Sequence, residues 1–273
     1  MTGEAAVRLN KYSEVRESIY GKHVRSSDML LTGLIYGCTA VSLLILVGIL
    51  GYTFVRGIPH VTWSFLSTAS SAVKGTFGIL GNIINTIYIV VITLLIATPI
   101  GVGSAVYLNE YAKPGKIVRM IEFTTETLSG IPSIIFGLFG MVFFGNTIGL
   151  GYSILTGSLT LTLMILPLIT RTTQEALKTV PDSYRHGALG IGATKWYMIR
   201  TILLPSAMPG IVTGVILAIG RIVGESAALL FTAGSGYYLP KNILGKIFES
   251  GGTLTIQLYL FMTEGKNIMR HLE

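Results

Sequence analysis

The sequence predicts an all-α membrane protein, and three observations carry that prediction. Of 273 residues 51% are apolar and only 12% are charged, against about a quarter charged in soluble domains. The mean hydropathy is +0.66 and 33 residues are glycine, a composition that excludes an ordinary water-soluble enzyme. The charges are also absent from long runs, and a helix needs roughly 20 apolar residues to cross about 30 Å of hydrocarbon.

Residues 1–28 form a basic lead, predicted to be a cytoplasmic segment. It is too long, and the apolar run behind it too extended, for a cleaved signal peptide, and no A-x-A site follows. The first span is 29–55. Its cysteine, Cys38, reads as a small buried hydrophobe, since a single cysteine offers neither a disulfide nor a metal framework. The uncharged run Gly75 to Asn109 supplies a span at about 79–109. Thr127 to Thr170 is again free of charge and about twice the length of one crossing. Gly145-Asn146, Gly149 and Gly151 put a turn in its middle, giving spans at about 127–146 and 152–170. A fifth span covers about 209–233, interrupted by Arg221 and Glu225. The last apolar run, Ser250 to Thr263, is 14 residues and too short to cross. Five spans are therefore clear and a sixth is missing or atypical.

Orientation follows from the Lys and Arg bias of short loops. Arg8, Lys11, Arg16, Lys22 and Arg25 share a side with Lys113, Lys116 and Arg119 and with Arg171, Lys178, Arg185, Lys195 and Arg200 if five helices alternate. The side facing them between the first two spans has Arg56 and Lys74. The N-terminus is thus predicted to be cytoplasmic in a multi-pass membrane protein. The net charge of +7 reflects topology and not nucleic-acid binding. Lys241, Lys246, Lys266 and Arg270 fall on the opposite side and weaken the bias without reversing it.

The loop 171–208 carries its own helix signals. Pro181-Asp182 is a start, with Asp182 placed to cap the first turn, and Gly190 and Gly192 are a stop. Thr194 can cap a second segment, Lys195 to Leu204, that ends at Pro205. Trp196, Ile199, Ile202 and Leu203 give this segment a membrane-facing stripe. The spans themselves carry small residues (Gly130, Gly137, Gly140, Gly214, Gly220) for close packing and Pro99, Pro132 and Pro167 as kinks.

Arg221 lies about halfway along the fifth span, where an arginine costs at least about 2.5–3.5 kcal/mol. Glu225 is four residues on, which on a continuous helix puts both side chains on one face. Two readings stand: a static ion pair locking the bundle, or a pathway cation that offers an anion a fork of donors. Arg171 and Glu175, also four apart, read as an interfacial anchor, with a gate or a partner contact as the alternative. His23, His60, His186 and His271 are scattered, so no metal site is expected.

At the loop the chain resembles a known family. Gly192, nine residues, then Ile202-x-Leu204-Pro205 matches the second half of the cytoplasmic motif of ABC importer permeases, E-A-A-x3-G-x9-I-x-L-P. The E-A-A positions fall on His186, Gly187 and Ala188, so His186 does not inherit the acidic role. "AIGRIVGESAALLFTAG" (Ala218 to Gly234), "ETLSGIPSIIFGLFG" (Glu126 to Gly140) and "LPLITRTTQEALKTVP" (Leu166 to Pro181) resemble phosphate ABC-transporter permeases of the PstA type.

That resemblance implies a type I ABC importer transmembrane domain over 75–273, in the cell membrane of a prokaryote. It implies a loop (Asp182, His186, Gly187, Ala188, Gly192, Ile202, Leu204, Pro205) that docks an ATPase. It further implies a second, PstC-type permease, two PstB-type ATPase subunits and an extracytoplasmic PstS-type phosphate-binding protein. No G-x-x-x-x-G-K-[ST] is present, so ATP and Mg are expected on the partner ATPases and no cofactor on this chain. The chain is expected to be no enzyme on its own but a subunit of an ATP-hydrolysing phosphate translocase. The rivals are a permease for another oxyanion and an ATP-independent channel or carrier gated by Arg221 and Glu225.

Overall fold

The computed structural model describes residues 26–71, 76–240, 242 and 245–268. Residues 1–25 with Arg8, Lys11, Arg16, Lys22, His23 and Arg25 lie outside the described residues, as do Lys74, Lys241, Arg270, His271 and the Lys266 side chain. The chain divides into two compact units, Met1–Thr62 and Trp63–Glu273.

In the first unit α1 (Ser26–Gly57) is one unbroken helix followed by a 3-10 turn at Ile58–His60. Leu, Ile and Val crowd its whole circumference, with no polar face to turn to water. Its composition is that of a helix long and apolar enough to cross a membrane. Cys38, expected to be buried, is exposed on this helix.

The second unit begins with α2 (Trp63–Ser67) and a small antiparallel hairpin, β1 (Ala69–Ser71) against β2 (Thr76–Ile79), with Ala69 opposite Ile79. The hairpin leads into α3 (Leu80–Val106), whose end widens into a π turn at Tyr107–Tyr111. Next come α4 (Lys116–Ser129) and α5 (Ser133–Gly140), the latter prolonged by a π stretch at Met141–Thr147. The long α6 (Ile154–Lys178) follows. Then come α7 (Asp182–Gly190) and α8 (Lys195–Met198), and α8 runs through a π turn (Ile199–Leu203) into α9 (Leu204–Gly224). Short α10 (Ala227–Thr232), a 3-10 turn at Gly245–Phe248 and α11 (Leu254–Ile268) complete the unit.

α6 is the axis, packed by α3, α9, α5 and α10. Its side chains Leu161, Met164, Ile165 and Ile169 meet Ile89 and Ala97 of α3, Phe136 of α5, Ala218 and Ile222 of α9, and Ala228 and Leu229 of α10. Close approach is set by glycine: a Cβ on Gly137 would lie 2.8 Å from the Ala228 Cα, and one on Gly140 would overlap the Thr160 side chain. Buried threonines are tolerated on α6 because their hydroxyls bond back into the helix, as Thr160 Oγ1 does to the Thr156 carbonyl at 2.8 Å.

Three expected spans need correction. The one placed at 127–146 is two helices bent by 100°. Pro132 lacks an amide hydrogen and disfavours helix at Ile131 before it, so Thr127 to Ser129 end α4 and a new helix starts at Ser133. The helix placed at 152–170 continues to Lys178. The one placed at 209–233 is a continuous helix from Lys195 to Gly224, broken at Glu225.

Pro205 does not end the second loop segment. The π turn just before it already interrupts the regular hydrogen-bond ladder, so the missing donor breaks nothing further. What remains outside helix in the loop is short, at Thr179–Pro181 and Ile191–Thr194. The last helix, α11, has an apolar stretch confined to Leu254–Thr263.

Candidate functional site

The loop segment is built as a helix with hinges at both ends. α7 starts after Pro181 and ends at Gly190, two residues before Gly192, whose φ of +85° lies where glycine is favoured. Asp182 does not cap the helix as expected. No side chain caps its first turn, and the Asp182 carboxylate instead accepts from Arg185 Nη1 at 3.0 Å. Thr194 does cap the second segment, accepting from the Tyr197 amide at 3.3 Å.

Of α7 only Ala188 is buried and Arg185 half-buried. Asp182, His186 and Gly187 are exposed, as is Gly192 beyond the helix. In the next segment Met198, Ile199 and Leu203 pack with Ala188 against Val106, Ala176 and Leu177, and Ile202 and Leu204 lie at the edge of that cluster. The expected stripe is thus split: Ile199 and Leu203 face protein, while Trp196 is exposed. Pro205 is also exposed.

Beneath this loop sits an ion pair that sequence reasoning missed. Arg185 Nη2 and Nε donate to Glu110 Oε1 at 2.9 and 3.2 Å. The guanidinium also donates to the Leu177 and Val180 carbonyls, each at 2.9 Å. The hydrogen bonds and charge of Glu110 outweigh desolvation and raise the Arg185 pKa above its ordinary value. The signal available in the sequence was Glu110 itself, the first acid after a long charge-free run, but its partner is 75 residues away.

Arg171 and Glu175 do meet, at 3.4 Å, and Arg171 also reaches Glu126 of α4 at 3.3 Å. Both pairs are more than half exposed, so each is worth about 0–1 kcal/mol. They edge a pocket of ≈ 260 Å³ whose lining adds Glu122, Gln174 and Lys178.

Arg221 and Glu225 do not share a helix face. Glu225 has left the helix (φ −80°, ψ 125°). Its carboxylate accepts from the Ala228 amide at 3.0 Å, and its carbonyl accepts from Thr255 Oγ1 at 2.9 Å. The helix break is therefore satisfied by side chains. Arg221, expected about halfway along its span, instead sits exposed in the last turn of α9, because the helix begins earlier and breaks at Glu225, and among the described residues no ion pair engages it. Among the described residues no cluster of three metal-ligating side chains occurs.

A bundle of apolar helices packed around α6, with a short exposed helix at one end, defines a multi-span helical membrane protein. Residues 97–263 match the family described as the binding-protein-dependent transport system inner membrane component. The chain belongs to that family: it is the multi-pass permease subunit of an ABC importer, a family that works with a separate ATPase and a binding protein.

Among relatives, the chain is 43% identical over 208 residues to the probable ABC transporter permease protein YqgI of Bacillus subtilis, covering 76% of this chain and 71% of that one. It is 35% identical over 219 residues to the phosphate transport system permease protein PstA of Haemophilus influenzae, covering 80% and 77%. The fold is similar to a crystal structure of a bacterial ABC transporter involved in the import of the acidic polysaccharide alginate. That likeness has a TM-score of 0.59 and 16% identity, and covers 88% of this chain and 87% of that one. The type I importer fold is therefore the fold of this chain.

Proposed function

We propose that this chain is the PstA-type permease of an ATP-driven inorganic phosphate importer, and one observation carries the substrate class. Arg221 stands exposed at the end of a membrane helix while the acid expected to neutralise it is engaged elsewhere. A cation at the end of a membrane helix that no described carboxylate pairs with has use for an anion, and a guanidinium presents a fork of donors that fits a phosphate oxygen pair. The relative named as a phosphate permease supports the same reading.

In this reading Arg221 lowers the barrier to a partly dehydrated anion, and Glu225 holds the helix break open beside it. The exposed turn of Asp182, His186 and Gly187, ending at Gly192, docks an ATPase subunit, Ala188, Ile202 and Leu204 seat it on the spans, and Pro205 lies exposed beside them. Arg171, with Glu175 beside it on α6, reaches Glu126 of α4 as an interfacial anchor. The basic loops then face the cytoplasm with the N-terminus. The complex contains a PstC-type permease, two PstB-type ATPases that bind ATP and Mg, and a PstS-type phosphate-binding protein.

The test is uptake of radiolabelled phosphate into proteoliposomes holding the whole assembly. Uptake that needs ATP and the binding protein, and that excess sulfate does not compete away, supports the reading. Competition by sulfate or molybdate assigns the permease to another oxyanion. Flux through this chain alone, without ATPase, overturns the ATP-driven mechanism.

A further inference from the structure

Seven of the nine residues of α7 are exposed, and only Ala188 is buried. The helix has a proline hinge before it and the left-handed Gly192 after it. A short helix between two such joints would swing without moving the spans unless something fastened it. The fastening is Arg185. Its guanidinium reaches Glu110 at the end of α3, the Leu177 and Val180 carbonyls at the end of α6, and Asp182 on its own helix. The Glu110 side chain is 5% exposed and that of Arg185 17%, so solvent screens this pair far less than the surface pairs of Arg171.

The Leu177 carbonyl lies in the last turn of α6 and that of Val180 just beyond it, and a planar fork of five donors reaches both together with a carboxylate. A second tie lies on the far side of the loop: Lys195 Nζ sits 5.0 Å over the ring of Tyr111, next to Glu110. The π turn Tyr107–Tyr111 thus grips the loop on both sides of Gly192.

We propose that the Glu110–Arg185 pair is the transmission latch of the permease. It joins α7 to the ends of α3 and α6 as one body, so a push on α7 becomes a tilt of those spans. This rests on the ATP-driven reading above. Glu110 and Arg185 are positioning residues that touch neither substrate nor nucleotide, and the exposed face of α7 remains the docking surface.

The experiment uses the complete complex in proteoliposomes and reads three quantities: the ATPase subunit retained per permease, ATP hydrolysed, and phosphate taken up per ATP. Glu110→Gln and Arg185→Lys keep a wild-type complement of ATPase and continue to hydrolyse ATP, while uptake per ATP falls about tenfold. Glu110→Asp restores part of that ratio because it restores the carboxylate.

The double variant Glu110→Gln with Arg185→Gln leaves no buried charge unpaired, so it assembles and is uncoupled to the same degree. Normal uptake per ATP in the double variant overturns the latch. Loss of the ATPase subunit in proportion to the loss of uptake also overturns it, since the pair would then only shape the docking site. A wild-type complex that shows no ATP-dependent uptake sinks the importer reading itself, and the two failures are told apart by that control.

Discussion

Arg221 and Glu225 stand four positions apart in sequence and on opposite sides of a helix break. Arg221 closes the last turn of α9, and the Glu225 carboxylate turns forward to the Ala228 amide at 3.0 Å. Each charge complements the helix end it occupies, the cation at a C-terminus and the anion at an N-terminus. A mutual ion pair is therefore not what holds this region, and Arg221 is left for another role.

If that role is the anion pathway, Arg221→Gln abolishes phosphate uptake while the complex still assembles. A loss of at least about tenfold is expected, equivalent to about 1.4 kcal/mol. Uptake at the wild-type rate from an equal amount of purified complex would remove Arg221 from the pathway.

Glu225 is predicted to act through its acceptor oxygen. Glu225→Gln keeps an oxygen for the Ala228 amide and retains stability, whereas Glu225→Ala loses about 1 kcal/mol, the scale of a helix cap. Thermal unfolding of the detergent-solubilised protein separates them. Equal melting of the two variants contradicts the capping role.

Gly192 takes a φ of +85° with open space around it, so a side chain there meets conformational strain and not a clash. Gly192→Asp is expected to uncouple ATP hydrolysis from transport by distorting the turn after α7. Gly192→Asn, more at ease in the left-handed region, should be milder. Coupled turnover identical to wild type in both would show that this turn does not matter to the stroke.

Gly137 and Gly103 give a paired test of packing. A Cβ on Gly137 meets the Ala228 Cα at 2.8 Å, while one on Gly103 meets nothing within 4 Å. Gly137→Ala should cost about 1–3 kcal/mol by forcing α5 from α10. Gly103→Ala should be neutral or slightly stabilising. Similar melting temperatures for the two variants would mean that α5 and α10 do not pack as closely as the structure has them.

The loop motif was readable because it is local: Thr194 caps the segment that its position announces, and Gly192 makes the turn its neighbours require. Pro205 misled because a proline reads as a stop, whereas the π turn before it removes the hydrogen bond that the ring would have broken. Pro132 does end a helix, with no such turn before it, and the charge-free run around it concealed the 100° bend. The Glu110–Arg185 pair left no usable trace in a single sequence, because nothing in either neighbourhood names a residue 75 positions away.

Apolar runs are properties of short stretches, so the sequence by itself determined that this is a helical membrane protein. What each buried charge faces was decided only when distant segments met. Thr255 of α11 satisfies the Glu225 carbonyl at the break in α9, and the end of α3 supplies the carboxylate for α7. The reason is desolvation: a polar group taken out of water must find a partner, and the partner is chosen by the packed fold and not by the neighbouring residues.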